Sequence, residues 1–124
     1  MLAIALVTDM IFGTKIKGTA DQLGLPLSVV RTAQALADGA GGADLAIIDL
    51  NADGLDAVDA IRRCKAPGLP SPTVIAYASH VQKDLIQAAQ DAGADLVLPR
   101  SRFSAELPEL LTRFAGPRRG SARG

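Results

Sequence analysis

Five short apolar runs punctuate the chain: Leu2–Val7, Leu27–Arg31, Leu45–Ile48, Thr73–Ala78 and Asp95–Leu98. Each is too short for a helix and reads as a strand; Leu2–Val7, with no polar alternation, reads as fully buried, and Leu27–Arg31 as a weaker strand. Helical spacing fills the intervals. Ile11, Ile16, Ala20 and Leu23 mark a first helix closed by Gly24 and Pro26, and Thr32–Ala37 a short second one ended by the loop Gly39–Gly42. Leu55, Val58, Ala60 and Ile61 turn inward on a third, with Asp59, Arg62 and Arg63 outward. Leu85, Ile86, Ala89 and Ala92 define a fourth, stopped by Gly93. Ser104 is placed to cap a fifth carrying Leu107, Leu110, Leu111 and Phe114, with Pro108 in its first turn. Strands separated by single helices run parallel, because the chain must cross back before pairing again. Five such units with right-handed crossovers predict an α/β fold, a doubly wound five-stranded parallel sheet with helices on both faces.

A chain of 124 residues is one domain, able to bury about two thirds of its unfolded surface without staples. Its bounds are expected at residues 1–115, followed by a basic, disordered tail over 116–124 that holds Arg118, Arg119 and Arg123. Removing those three from 13 basic residues leaves 10 against 13 acids, so the folded body is mildly acidic. A formal net charge of zero argues against a whole-surface nucleic-acid partner. With no Trp, one Tyr and three Phe, the core is expected to be aliphatic, and base stacking has few residues to use. The lone Cys64 excludes an internal disulfide, and no leader or membrane-length run is present, so the expected location is cytoplasmic.

Parallel strands place all their C-terminal ends at one edge, where open α/β sheets bind ligands. That edge collects Asp9, Asp49, Asn51, Ser79, His80 and Arg100. If the first and third strands are neighbours, Asp9 and Asp49 open into one small acidic pocket. His80 is a surface residue beside Ser79 or a neutral ring rimming that pocket. Ser79 is a possible cap for the fourth helix. Arg100-Ser101-Arg102 offers an anion cradle at the entrance of the last helix, or a fixed ion pair in which Arg100 neutralises Asp49. Gly13–Thr19 lacks the lysine of a phosphate loop. One His and one Cys make no nucleophile–base pair, so an enzyme is not expected.

The succession Thr8-Asp9, Ile47-Ile48-Asp49-Leu50 with Leu55-Asp56, and Gly93-Ala94-Asp95 resembles a response-regulator receiver domain of the chemotaxis-regulator superfamily. The resemblance implies a flavodoxin-like sheet of strand order 2-1-3-4-5. It also implies that Asp49 is the phosphoacceptor and that Asp9, Asp49 and the backbone carbonyl of Asn51 hold Mg2+. Thr8 stands where such domains carry a first acid, and Ala78 falls at the hydroxyl position, with Ser79 one residue late. Arg100 falls at the lysine position and Val97 at that of the switching aromatic. Short stand-alone receiver-like proteins share pieces like Asp9-Met10-Ile11-Phe12 and Leu98-Pro99-Arg100-Ser101.

The expected function is that of an atypical stand-alone receiver-like signalling protein, a pseudo-receiver that works through protein contacts without a phosphorylation switch. Its partner would be another signalling protein, or a second copy through the fourth helix, fifth strand and fifth helix; no DNA-binding output and no membrane are expected. Two alternatives stand beside it. One is a phosphorylatable single-domain response regulator with Asp49 as acceptor and Mg2+ at Asp9 and Asp49. The other is a module that binds a small anionic ligand at the sheet edge, near Arg100 and His80.

Overall fold

The computed structural model describes residues 2–52, 54–65, 71–79 and 82–115. His80 and the expected tail at 116–124 lie outside them. Strands and helices alternate along the chain: β1 (Ala3–Leu6), α1 (Met10–Gln22), β2 (Leu27–Val30), α2 (Ala33–Ala40), β3 (Leu45–Asp49), α3 (Ala57–Cys64), β4 (Thr73–Ala78), α4 (Lys83–Asp91), β5 (Leu96–Pro99) and α5 (Arg100–Ala115). Among the described residues the strands form one parallel sheet in the order β2-β1-β3-β4-β5, the flavodoxin-like order anticipated above. β1 lies beside β3, with Leu6 opposite Ile48, so the chain leaves both strands at the same edge. No described helix is long and apolar enough to cross a membrane.

Strand alternation divides the core in two. Ala3, Ala5, Val7, Leu45, Ile47, Ile75, Tyr77 and Leu98 pack against α1 and α5. Ile4, Leu6, Ala46, Ile48, Val74, Ala76 and Ala78 pack on the other side, against α2, α3 and α4. Both faces of the inner strands are therefore covered, which is why these runs carry no polar alternation.

Three helices differ from their sequence periodicity. In α1, Ile11 is 85% exposed and Leu23 41% exposed, whereas Phe12 is buried. The stripe that faces the sheet is Phe12, Ile16 and Ala20, spaced by four, and Ile11 lies five residues from Ile16, out of phase with it. Gly24, at φ 71°, then reverses the chain, and the Leu25 N–H reaches back to the Ala20 carbonyl. Helix α2 begins after Thr32, whose hydroxyl caps the Ala35 N–H, and continues through Gly39 to the buried Ala40. Helix α5 begins at Arg100, directly after β5, so Ser104 lies inside it and caps nothing at its start. Pro108 is likewise internal and exposed, where water can take the carbonyl it leaves without a donor. At α4 the cap residue is Gln82, which makes no side-chain capping bond; Ser79 is not the cap.

Candidate functional site

Asp9 ends the connection after β1 and turns its side chain onto the start of α1. Its Oδ1 accepts from the Ile11 and Phe12 N–H groups at 3.0 and 3.1 Å, an N-cap that satisfies two otherwise orphaned donors. Its Oδ2 accepts from Nη2 of Arg100 at 3.1 Å. The Phe12 N–H chiefly, with Arg100 and the Ile11 N–H adding to it, holds the Asp9 carboxyl below its ordinary range; partial desolvation works the other way. The Arg100 guanidinium also lies 4.3 Å from the centre of the Phe12 ring. Ring and carboxylate therefore hold one planar cation between them, a contact that suits arginine better than lysine. The ion pair foreseen between Arg100 and Asp49 thus runs to Asp9 instead.

The ring under Arg100 belongs to a group. Phe12 meets Tyr77 edge-on at 5.2 Å, and Tyr77 stacks on Phe103 at 4.6 Å with 17° between planes. Three of the four aromatic residues, one Tyr and three Phe in all, converge here from α1, β4 and α5. The expectation of an aliphatic core fails at this end of this face. Each ring continues a buried stripe: Phe12 is four before Ile16, Tyr77 two after Ile75, Phe103 four before Leu107. Those spacings were available in the sequence; the convergence was not. The Tyr77 hydroxyl is buried and has no hydrogen-bond partner among the described residues. Burial, and next the Asp49 charge, push its ionisation far above the ordinary phenol range, so it remains protonated.

Asp49 is the last residue of β3, opposite Tyr77 in register, and it is buried at 7% exposure. Its Oδ1 accepts from the Asn51 N–H at 2.8 Å, the turn-forming bond expected where an Asp leaves a strand. Asn51 uses its side chain across the mouth: Oδ1 accepts from the Ser79 N–H at 2.7 Å, and Nδ2 donates to Gln82 Oε1 at 2.8 Å. This amide ties the segment after β3 to the segment after β4. Sequence reasoning valued Asn51 for its backbone carbonyl and missed the side chain. Thr8 is half-buried beside Asp9, and Ser79 is exposed. Ala78 ends β4 buried on the opposite face, toward α3 and α4.

The structure thus brings Asp9 together with Arg100, and Asp49 together with Asn51, at one edge. A divalent cation fits this set poorly. Asp9 already accepts three hydrogen bonds, one of them from Arg100, so a cation there competes with that guanidinium. Among the described residues, no group of three His, Cys, Asp or Glu is placed to hold a metal. The anion cradle is not assembled either, because Arg102 turns along its own helix to Glu106 at 2.7 Å. A groove of about 450 Å3 lies beside the mouth, between α1 and the edge strand β2, with Asp9 in its lining.

No family model matches this sequence, and no curated protein matches it. Solved structures do resemble it. The response-regulator signal receiver domain from Bermanella marisrubri superposes with a TM-score of 0.79 at 16% identity, over 91% of this chain and 96% of that one. The signal receiver domain of NarL from Mycobacterium tuberculosis gives a TM-score of 0.77 at 16% identity, over 94% and 97%. The Mn(2+)-bound form of response regulator Rcp1 gives 0.73 at 11% identity, over 92% and 94%. With strand order, helix placement and coverage of nearly the whole chain in agreement, the protein has the fold of a response-regulator receiver domain.

Proposed function

We propose that this protein is a receiver-like signalling module that acts through protein contacts, with an acid site held by its own arginine and not switched by phosphorylation. The observation that carries this reading is the Arg100–Asp9 pair at 3.1 Å, with the guanidinium seated on Phe12. In a switched site a divalent cation would neutralise the acids during phosphoryl transfer. Here a guanidinium fixed in the protein already does so at Asp9, and Thr8 supplies no second charge. A switch also needs an element with two arrangements to bias. Tyr77 is packed between Phe12 and Phe103, Ala78 carries no hydroxyl, and the Asn51 amide holds the Ser79 segment in place. On this reading the protein catalyses nothing and works in the cytoplasm. Its output is a constant surface offered to another protein, or to a second copy through α4, β5 and α5.

One observation favours a second reading, in which Asp49 accepts a phosphoryl group: Asp49 ends β3, the position that the receiver resemblance of the sequence gives to the acceptor. Incubation with acetyl phosphate and Mg2+, followed by intact-mass measurement, separates the two. The held-site reading expects no mass gain in the native chain and weak Mg2+ binding by calorimetry, with affinity rising in Arg100→Ala. An Asp49-dependent gain of one phosphoryl group establishes the second reading in its place.

A further inference from the structure

The groove between α1 and β2 is lined by Val7, Met10, Gly13, Val29 and four charged side chains, Asp9, Lys17, Asp21 and Arg31. Its volume, about 450 Å3, lies within the roughly 300–1,000 Å3 range of small-molecule sites. Two glycines of α1 line it, Gly13 buried and Gly18 exposed. A Cβ built at Gly18 meets nothing within 4 Å, and one at Gly13 comes no nearer than 3.5 Å to Val29. Met10, 65% exposed, leaves apolar surface at the wall.

The charges decide the occupant. Asp9 is paired with Arg100 at 3.1 Å, and Asp21 with Lys17 at 2.8 Å. Both acids of the lining are thus neutralised by partners of their own. Arg31, directly after β2, makes no ion pair or side-chain hydrogen bond among the described residues, so the groove carries one uncompensated positive charge beside an apolar floor. A peptide strand added to β2 is disfavoured, since that edge offers only four residues between Pro26 and Arg31.

We propose that this groove binds a small amphipathic monoanion. Its carboxylate is held by the Arg31 guanidinium, and its short aliphatic chain lies along Met10 and Val29. A carboxylate matches the planar donors of arginine, and water leaves the apolar floor when the chain lies down. The site adjoins the acidic mouth through Asp9, and its anion contact at Arg31 does not involve Asp49.

The test is an amide-shift titration of the full chain with octanoate, octanol and octylammonium. Saturable shifts with octanoate at Gly13, Gly18, Val29 and Arg31 are expected, with octanol and octylammonium each at least roughly tenfold weaker. Arg31→Gln should lower octanoate affinity by about tenfold and leave octanol unchanged. Gly18→Leu, which fills the groove from an unobstructed helix position, should abolish binding while the amide spectrum stays dispersed. No saturation by octanoate, equal binding of octylammonium, or an Arg31→Gln variant that binds as well as the native chain each overturns the proposal.

Discussion

The two sides of the sheet are built from different materials. On the α2–α3–α4 side the buried residues are aliphatic and small, with Ala40, Ala46, Ala57, Ala60, Ala76, Ala78 and Ala89 among them. Small residues let helices sit close: a Cβ at Gly39 would stand 2.5 Å from Cδ1 of Ile4. On the α1–α5 side three rings fill the end nearest the strand C-termini, and a guanidinium rests on the outermost. One side thus joins elements by close approach, the other by bulky side chains that reach from α1 to β4 to α5. The difference bears on function, because only the ring side is continuous with the acid site. Disturbance of that side should reach the mouth; equal disturbance of the other should not.

Two truncations test this asymmetry with the largest expected effects. Phe103→Ala should cost about 3–5 kcal/mol and Ile61→Ala about 2–5 kcal/mol, both read from denaturant midpoints. Only Phe103→Ala should also raise the Asp9 ionisation toward its ordinary value, as Phe12 loses its neighbour and Arg100 its seat; carboxyl NMR titration reports it. A matching shift in Ile61→Ala would erase the distinction. Tyr77→Phe should be neutral or stabilising by about 1 kcal/mol, since it removes a buried hydroxyl without a partner among the described residues. A loss of stability there would mean that the hydroxyl is bonded in solution. Asn51→Ala should cost about 1 kcal/mol and speed hydrogen exchange at the Ser79 amide, while exchange within β2 stays unchanged.

The smallest effect concerns pH. Asp9 is held below its ordinary value of 3.8 in the folded protein, so its contribution to stability is present above that value. It is lost as pH falls below 3.8 through the lower folded value. Asp9→Asn keeps a capping side chain but not the charge, and should flatten this part of the acid limb in a pH series of thermal melts. An unchanged acid limb would show that Asp9 titrates alike in the folded and unfolded chains.

Much of this arrangement was legible beforehand because it is local. Thr73–Ala78 was readable as a strand to the residue, since an apolar run between Pro72 and Ser79 has one buried conformation open to it. The edge position of Asp9 and Asp49 followed from parallel crossovers alone. The phase of α1 did not: Ile11 and Phe12 are both apolar, and which one faces inward depends on where Asp9 caps the helix and what lies opposite. The start of α5 was misplaced for a similar reason, because Arg100 could begin a helix or a loop until β5 fixed where the chain must turn.

The alternation of apolar runs and helical segments determined the sheet, its parallel sense and the edge where its acids lie, because periodicity is a property of neighbours in the chain. The tertiary structure alone decided that Arg100, 91 residues from Asp9, closes on it, and that Phe12, Tyr77 and Phe103 meet beneath. It also decided that Arg31 is left beside an open groove. Charge partners and ring contacts depend on distances between separate elements, and those distances exist only once the crossovers have brought the elements together.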